Sequence, residues 1–173
     1  MPSNERYLID SDVLITSKNL YYRPNFCEAF WSWIIAGHAA GRLFSIDKVK
    51  QELLNGDKDD PLYEWVQNDT LKDFFLGSAA SAAKWKDLAS WAVRGDYMQA
   101  AKDKFLNANS ADAWLIAVAA AEGDCIIVTN EISAPNSLKN IKLPDAAAAL
   151  NVKTVSLFAL LQGSAHKTFE YKQ

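Results

Sequence analysis

The stretch YLIDSDVLI, residues 7–15, decides the predicted fold class. Three apolar residues are followed by the small polar residues Asp10, Ser11 and Asp12, and then by a second apolar run that ends at Ile15. An apolar run that stops at small polar residues is typical of a buried strand that ends in a polar loop. Since this strand lies close to the start of the chain, we expect it to be the central strand of an α/β domain.

Strands and helices alternate along much of the remaining chain. Further strands are predicted at residues 43–46, 125–129 and 152–155, and helices at 26–38, 48–55, 111–122, 144–150 and 157–161. We expect Asp47 and Ser110 to cap two of these helices, and the aromatic helix 26–38 to pack into the core. The alternation predicts a parallel sheet that is covered by helices on both faces.

The middle of the chain, about residues 57–107, shows no strand pattern and is predicted to form a helical side of the domain. The total length of 173 residues suits one domain. We therefore assign residues 1–163 to a single domain and residues 164–173 to a C-terminal tail.

Composition and charge exclude several classes of protein. The formal net charge is −3, which excludes a generally basic coat for nucleic acid but leaves a local basic patch open. The two cysteines cannot form a disulfide framework, and no segment approaches the roughly 20 apolar residues that span a bilayer. The first residues show no signal-peptide pattern. We expect a cytoplasmic protein with no membrane partner.

Acidic side chains follow the predicted strands or begin the helices next to them. Because ligands of parallel sheets bind beyond the carboxyl ends of the strands, we expect these groups to converge at one edge. The candidates are Asp10 and Asp12 after the first strand, Glu52 on the helix after the second, Asp112 in the first turn of helix 111–122, and Glu131 after strand 125–129. Ser11, Thr129 and Asn130 stand beside them.

Such a cluster has a physical consequence. Two like charges 4 Å apart repel by about 4 kcal/mol at an effective dielectric constant of 20, so a group of three or four must take up protons or bind a cation. Oxygen ligands favour Mg²⁺ or Mn²⁺, and zinc is disfavoured because the pattern holds no Cys or His. A pair of such ions held roughly 3.5–4 Å apart supports phosphodiester hydrolysis.

Each candidate also has a simpler interpretation. Asp112 could complement a helix dipole, Glu52 could be a solvated helix residue, and Asn130 with Glu131 could form an ordinary turn. Ser11 and Thr129 could orient carboxylates or cap loops. Asp10 is the hardest to interpret as purely structural, because an unpaired carboxylate between two apolar runs is costly.

The four acidic segments, in this order, resemble the PIN-domain family of metal-dependent nucleases. The family's first motif is an apolar strand followed by Asp-Thr/Ser-Asn, as in residues 7–15. The later acidic motifs are matched by SIDKVKQEL (residues 45–53), ADAWLIA (111–117) and VTNE (128–131). The resemblance extends from residue 7 to about 161, and IKLPD (141–145) resembles a PIN-like branch assigned mostly to toxins.

The resemblance implies a PIN-like three-layer sandwich with four or five mostly parallel strands. It implies an endoribonuclease that uses Mg²⁺ or Mn²⁺, cleaves RNA as the toxin of a toxin–antitoxin pair, binds a protein antitoxin and often forms a homodimer. The residues carried over as catalytic and metal-holding are Asp10, Glu52, Asp112 and Glu131, with Ser11, Asp12, Thr129 and Asn130 in support.

Two residues depart from the family pattern. Asp12 stands where Asn is usual, and Glu131 stands where many relatives have Asp. The first adds a possible negative charge and the second lengthens the reach by a methylene, and either could alter the number or preference of metals.

Two other functions are compatible with the sequence. A haloacid-dehalogenase-like phosphatase would use Asp10 as nucleophile and Asp12 as acid/base, although Asn130-Glu131 is a poor match to that family's metal motif. A non-catalytic interaction module would keep the PIN-like fold without turnover.

Overall fold

The computed structural model describes residues 5–166. The strands of this part are β1 (Arg6–Ile9), β2 (Leu43–Ile46), β3 (Phe75–Leu76), β4 (Cys125–Val128) and β5 (Thr154–Val155). They form one sheet of order β3-β2-β1-β4-β5, and every pairing is parallel. The predicted α/β class is therefore confirmed, with β1 at the centre of the sheet.

Helices flank the sheet as a three-layer sandwich. In chain order they are α1 (Ser11–Thr16), α2 (Glu28–Ala39), α3 (Asp47–Leu54), α4 (Pro61–Trp65), α5 (Ala82–Arg94), α6 (Gln99–Phe105), α7 (Ala111–Glu122), α8 (Leu143–Ala149) and α9 (Leu157–Ser164). Helix α7 is the most deeply packed of the long helices, and its first turn carries Asp112. None of the helices within residues 5–166 is long and apolar enough to cross a membrane.

Two local predictions about secondary structure are wrong. Helix α1 begins at Ser11, where the sequence predicted a polar loop, because Asp10 already has the extended backbone of an N-cap residue. The middle section contains a strand, since Phe75 and Leu76 pair with the outer side of β2. A strand of two residues has no alternation of its own and is held by its neighbour.

The capping predictions also need correction. Ile46, not Asp47, is the N-cap of α3, and the Asp47 carboxylate instead accepts a hydrogen bond from the Ser78 N–H at 3.2 Å. Ser110 is the N-cap residue of α7, but its side chain makes no capping hydrogen bond.

The aromatic helix is shorter than predicted. Helix α2 begins at Glu28, which leaves Phe26 outside it with 73% of its surface exposed, so Phe26 is not a core residue. Phe30, Trp31 and Ile34 are buried as expected. The predicted tail begins within α9, and residues 167–173 lie outside the described part of the chain.

Candidate functional site

The candidate site begins where β1 and β4 end side by side. Ile9 is paired with Val128 in the parallel register, so Asp10 and Thr129 are neighbours at the carboxyl edge of the sheet. The Asp10 N–H donates to the Val128 carbonyl at 3.1 Å, and the Thr129 hydroxyl donates to Asp10 Oδ2 at 3.0 Å. The Asp10 side chain is thereby fixed with 3% of the residue exposed.

Asp112 approaches this edge from the first turn of α7. Burial, followed by repulsion from Glu131 and Glu52, raises the pKa of Asp112 to about 6, against the opposing effect of Lys104. Burial, followed by repulsion from Asp112, raises the pKa of Asp10 to about 7, against the opposing effect of the Thr129 hydrogen bond. Asp10, Asp112 and Glu131, which are far apart in the sequence, thus lie near enough for their charges to act on one another.

Glu52 has a structural position that its sequence context did not reveal. Its Oε2 accepts a hydrogen bond from the Ser11 hydroxyl at 2.8 Å, and its Oε1 accepts one from the Ala111 N–H at 2.9 Å. The carboxylate therefore joins the first turns of α1 and α7, and it satisfies one of the backbone donors at the start of α7 that have no partner within the helix. Glu52 holds the helix that carries Asp112 against the helix that follows Asp10.

Glu131 is held from the opposite side. Its Oε2 accepts a hydrogen bond from the Leu143 N–H at 2.8 Å, and Lys142 Nζ lies 3.6 Å from its Oε1. The Glu131 N–H donates to the Thr129 hydroxyl oxygen at 3.2 Å. Thr129 therefore connects Asp10 to the segment that carries Glu131.

The remaining predicted residues lie at the margin of the site. Asp12 is exposed and accepts a hydrogen bond from the Thr16 hydroxyl at 3.3 Å, yet its charge contributes to the raised pKa of both Asp10 and Asp112. Ser11 is buried and bonded to Glu52, and Asn130 is half-buried. All eight predicted site residues thus lie in helices that begin at this edge or in the segments that directly follow β1 and β4.

Two lysines join the site without having been predicted. A cavity of about 70 Å³ is lined by Lys104 and Lys142 together with Asp112, Glu131, Ser110 and Asn140. Neither lysine lies in one of the four acidic motifs, although Lys142 belongs to the segment IKLPD that resembles the toxin branch. The Pro144 that follows Lys142 predicts the start of a helix, but not its position beside the site.

The donors in this site are oxygen atoms, which are the ligands that Mg²⁺ and Mn²⁺ prefer. Across residues 5–166, no group of three or more His, Cys, Asp or Glu side chains is placed to hold an ion together. Mg²⁺ does not require such a cage, since it is commonly held by one or two carboxylates and keeps several waters. Asp10, which is buried, and Asp112, which is half-buried, offer the one or two carboxylates that such binding uses.

Comparison with known proteins places the chain in a family. No curated protein and no solved structure matches it. A family model described as "Domain of unknown function (DUF4411)" matches residues 7–168, which include β1 at its start and α9 near its end. Because the match spans nearly the whole chain and all four acidic segments, the protein belongs to the DUF4411 family.

Proposed function

We propose that this protein is an endoribonuclease that depends on Mg²⁺ or Mn²⁺ and hydrolyses RNA phosphodiester bonds. The observation that carries the proposal is the placement of Asp10, Asp112 and Glu131 near one edge of the parallel sheet, where burial and then the neighbouring negative charges raise the pKa of the two aspartates. Like charges that are buried together favour a bound cation. The four motifs that resemble the PIN-domain family add independent support.

The proposed metal ligands are Asp10 and Asp112, with Glu131 and Glu52 beside them. The ion would supply a Lewis acid that lowers the pKa of water and offsets charge on the phosphate. Thr129 holds the Asp10 carboxylate in place, and Glu52 sets the position of α7 and therefore of Asp112. These contacts support a site built on rigid elements, as catalysis by metals requires.

The lysines supply what the acidic cluster lacks for an RNA substrate. Lys104 and Lys142 line the same cavity as Asp112 and Glu131, so a phosphate that approaches the acids meets two ammonium groups. This local placement compensates for the net charge of −3. We assign both lysines to phosphate contacts.

Burial of Asp10 favours the nuclease over a phosphatase that uses this residue as nucleophile. A nucleophile must reach the phosphorus atom, whereas Asp10 is only 3% exposed and its Oδ2 is bonded to Thr129.

We further propose that the protein, as a nuclease of the PIN type, acts in the cytoplasm as the toxin of a toxin–antitoxin pair. Its partners would be a protein antitoxin and a second copy of the chain in a homodimer.

The proposal is tested by cleavage of a fluorescent single-stranded RNA with purified protein and Mn²⁺ or Mg²⁺. We expect cleavage that a chelator stops and that Asp112→Asn abolishes. Asp87→Asn is the matched control, because Asp87 is exposed on α5 and lies outside the site. Equal activity of the two variants, or cleavage that persists in chelator, would contradict the proposal.

Two other results would identify the competing functions. A phosphate group covalently bound to Asp10 would show the phosphatase. An absence of both RNA cleavage and metal binding in the folded wild-type protein would show the non-catalytic module.

A further inference from the structure

A groove separate from the acidic edge lies between α2 and α4. One of its walls is built by Glu28, Trp31, Ser32 and Ile35, which are spaced along α2 so that they share one face of the helix. The groove has a volume of about 770 Å³, which is within the range of ligand and peptide sites. None of the residues assigned to the proposed nuclease site lines it.

Two tryptophans form the aromatic part of this groove. Trp31 and Trp65 meet edge to face with ring centroids 5.1 Å apart. Trp31 is fixed by a hydrogen bond of 2.7 Å from its indole N–H to the Tyr22 carbonyl, and the Trp65 ring contacts Phe74, a fully buried core residue. The aromatic surface is therefore rigid, as a binding site for an inserted side chain requires.

The charges around the groove have one sign. Glu28, Glu64 and Asp69 line it, and none of the described lining residues is basic. Within residues 5–166, these three carboxylates have no hydrogen-bond or ion-pair partner for their side chains. Three unneutralised carboxylates beside an aromatic surface attract a cation with an apolar stem, since the cation gains both charge pairing and cation–π contact.

We propose that this groove binds a segment of another protein that presents an arginine or lysine next to an aliphatic side chain. The cationic head would meet the carboxylates, while its stem and the aliphatic neighbour would pack on the half-buried Trp65 and Ile35, with Trp31 behind them as a buried support. RNA is not the ligand, because the acidic rim repels phosphates. This inference goes beyond the nuclease proposal and does not depend on it.

The first test uses fluorescence anisotropy to measure binding of a fluorescein-labelled peptide in which arginine and leucine alternate. Ser32→Arg places a long cationic side chain at an exposed position inside the groove, and Ser90→Arg adds the same charge at an exposed position on α5. We expect Ser32→Arg to weaken binding about tenfold or more and Ser90→Arg to change it less than about twofold. Equal weakening by both variants would overturn the proposal, because it would show attraction to net charge alone.

The second test removes charge without filling space. The double variant Glu28→Gln, Glu64→Gln is compared with Asp87→Asn, Asp96→Asn, which neutralises two exposed acids outside the groove. We expect the groove variant to lose about tenfold in affinity and the control to retain the wild-type value. Absence of binding by the wild-type protein, or equal binding of a peptide with glutamate in place of arginine, would also overturn the proposal.

Circular dichroism of each variant verifies that the fold is kept. All of the substituted positions are exposed, so we expect unchanged spectra. RNA cleavage is measured in parallel, and the groove variants are expected to retain it. Loss of peptide binding with intact RNA cleavage would show that the groove and the proposed nuclease site act independently.

Discussion

Replacing Asp10 by asparagine is expected to stabilise the protein at alkaline pH when no divalent ion is present. Burial and the nearby Asp112 charge raise the pKa of Asp10 to about 7, from an ordinary value of 3.8. The folded state therefore keeps the Asp10 proton up to about pH 7, whereas the unfolded chain releases it near pH 3.8. The stability due to Asp10 is greatest below the unfolded pKa and is lost as the pH rises through the folded pKa.

The size of this effect follows from the two pKa values. The difference between 3.8 and about 7 corresponds to at most about 4 kcal/mol of unfolding free energy, because each pKa unit is about 1.4 kcal/mol. Asparagine has nearly the same shape and carries no charge, and its carbonyl oxygen can still accept the Thr129 hydrogen bond. A gain of this size would raise the melting temperature by on the order of 10 °C.

The assay is urea denaturation with a chelator at several values between about pH 4 and about pH 8. We expect the difference in unfolding free energy between Asp10→Asn and the wild type to grow in favour of the variant as the pH rises. Asp87→Asn, an exposed control, should show no such trend. A difference that stays constant, or that turns against Asp10→Asn at high pH, would refute the idea that Asp10 is a buried and repelled carboxylate.

Three further predictions concern two contacts and one buried thiol. Glu52→Ala leaves the Ala111 N–H without its acceptor and should cost about 1–3 kcal/mol of unfolding free energy by urea denaturation, whereas little or no loss would show that the contact is dispensable. Lys142→Gln removes the cation 3.6 Å from Glu131, which would repel Mn²⁺, and should therefore tighten Mn²⁺ binding about two- to fivefold by calorimetry. The change is modest because both side chains are partly exposed. Weaker Mn²⁺ binding by the variant would contradict the expected repulsion between Lys142 and the ion. Burial raises the pKa of Cys125 to about 12, so this thiol should stay unmodified by iodoacetamide in the folded protein, and rapid alkylation would show that it is accessible.

The sequence identified the central strand and the residues that end it. The apolar run before Asp10 is a buried strand, and the run before Thr129 pairs with it in parallel register. Both elements carry strong local signals, since each is continuous, apolar and bounded by polar residues. The adjacency of Asp10 and Thr129 follows from that pairing, because the two strands run in the same direction and end together.

Contacts between distant segments could not be predicted in the same way. Glu52 accepts a hydrogen bond from the Ala111 N–H across 59 residues, whereas the local sequence predicted a cap only from Ser110, whose side chain makes no capping hydrogen bond. Strand β3 forms because β2 offers a free edge, and two residues carry no period of their own. Lys104 reaches the site on α6 and Lys142 reaches it at the start of α8, and the sequence signals neither placement because both depend on how the helices pack.

The pattern of stability in this site has a functional implication. The folded chain retains a buried carboxylate, Asp10, at a cost that an uncharged residue would avoid, while Thr129 and Glu52 hold the neighbouring groups in fixed positions. Such costs persist in proteins where the strained group has a task. This is the physical reason for proposing that the edge binds a ligand.

The central claim is that carboxylates from distant segments form one site for a divalent cation. Calorimetric titration of the protein with Mn²⁺ at neutral pH tests it most directly, with Asp10→Asn, Asp112→Asn compared against Asp87→Asn, Asp96→Asn, which removes equal charge from exposed positions. We predict that the wild type and the control variant bind Mn²⁺ with the same affinity and that the site variant does not bind it. Undiminished binding by the site variant, or no binding by the folded wild type, would contradict the account.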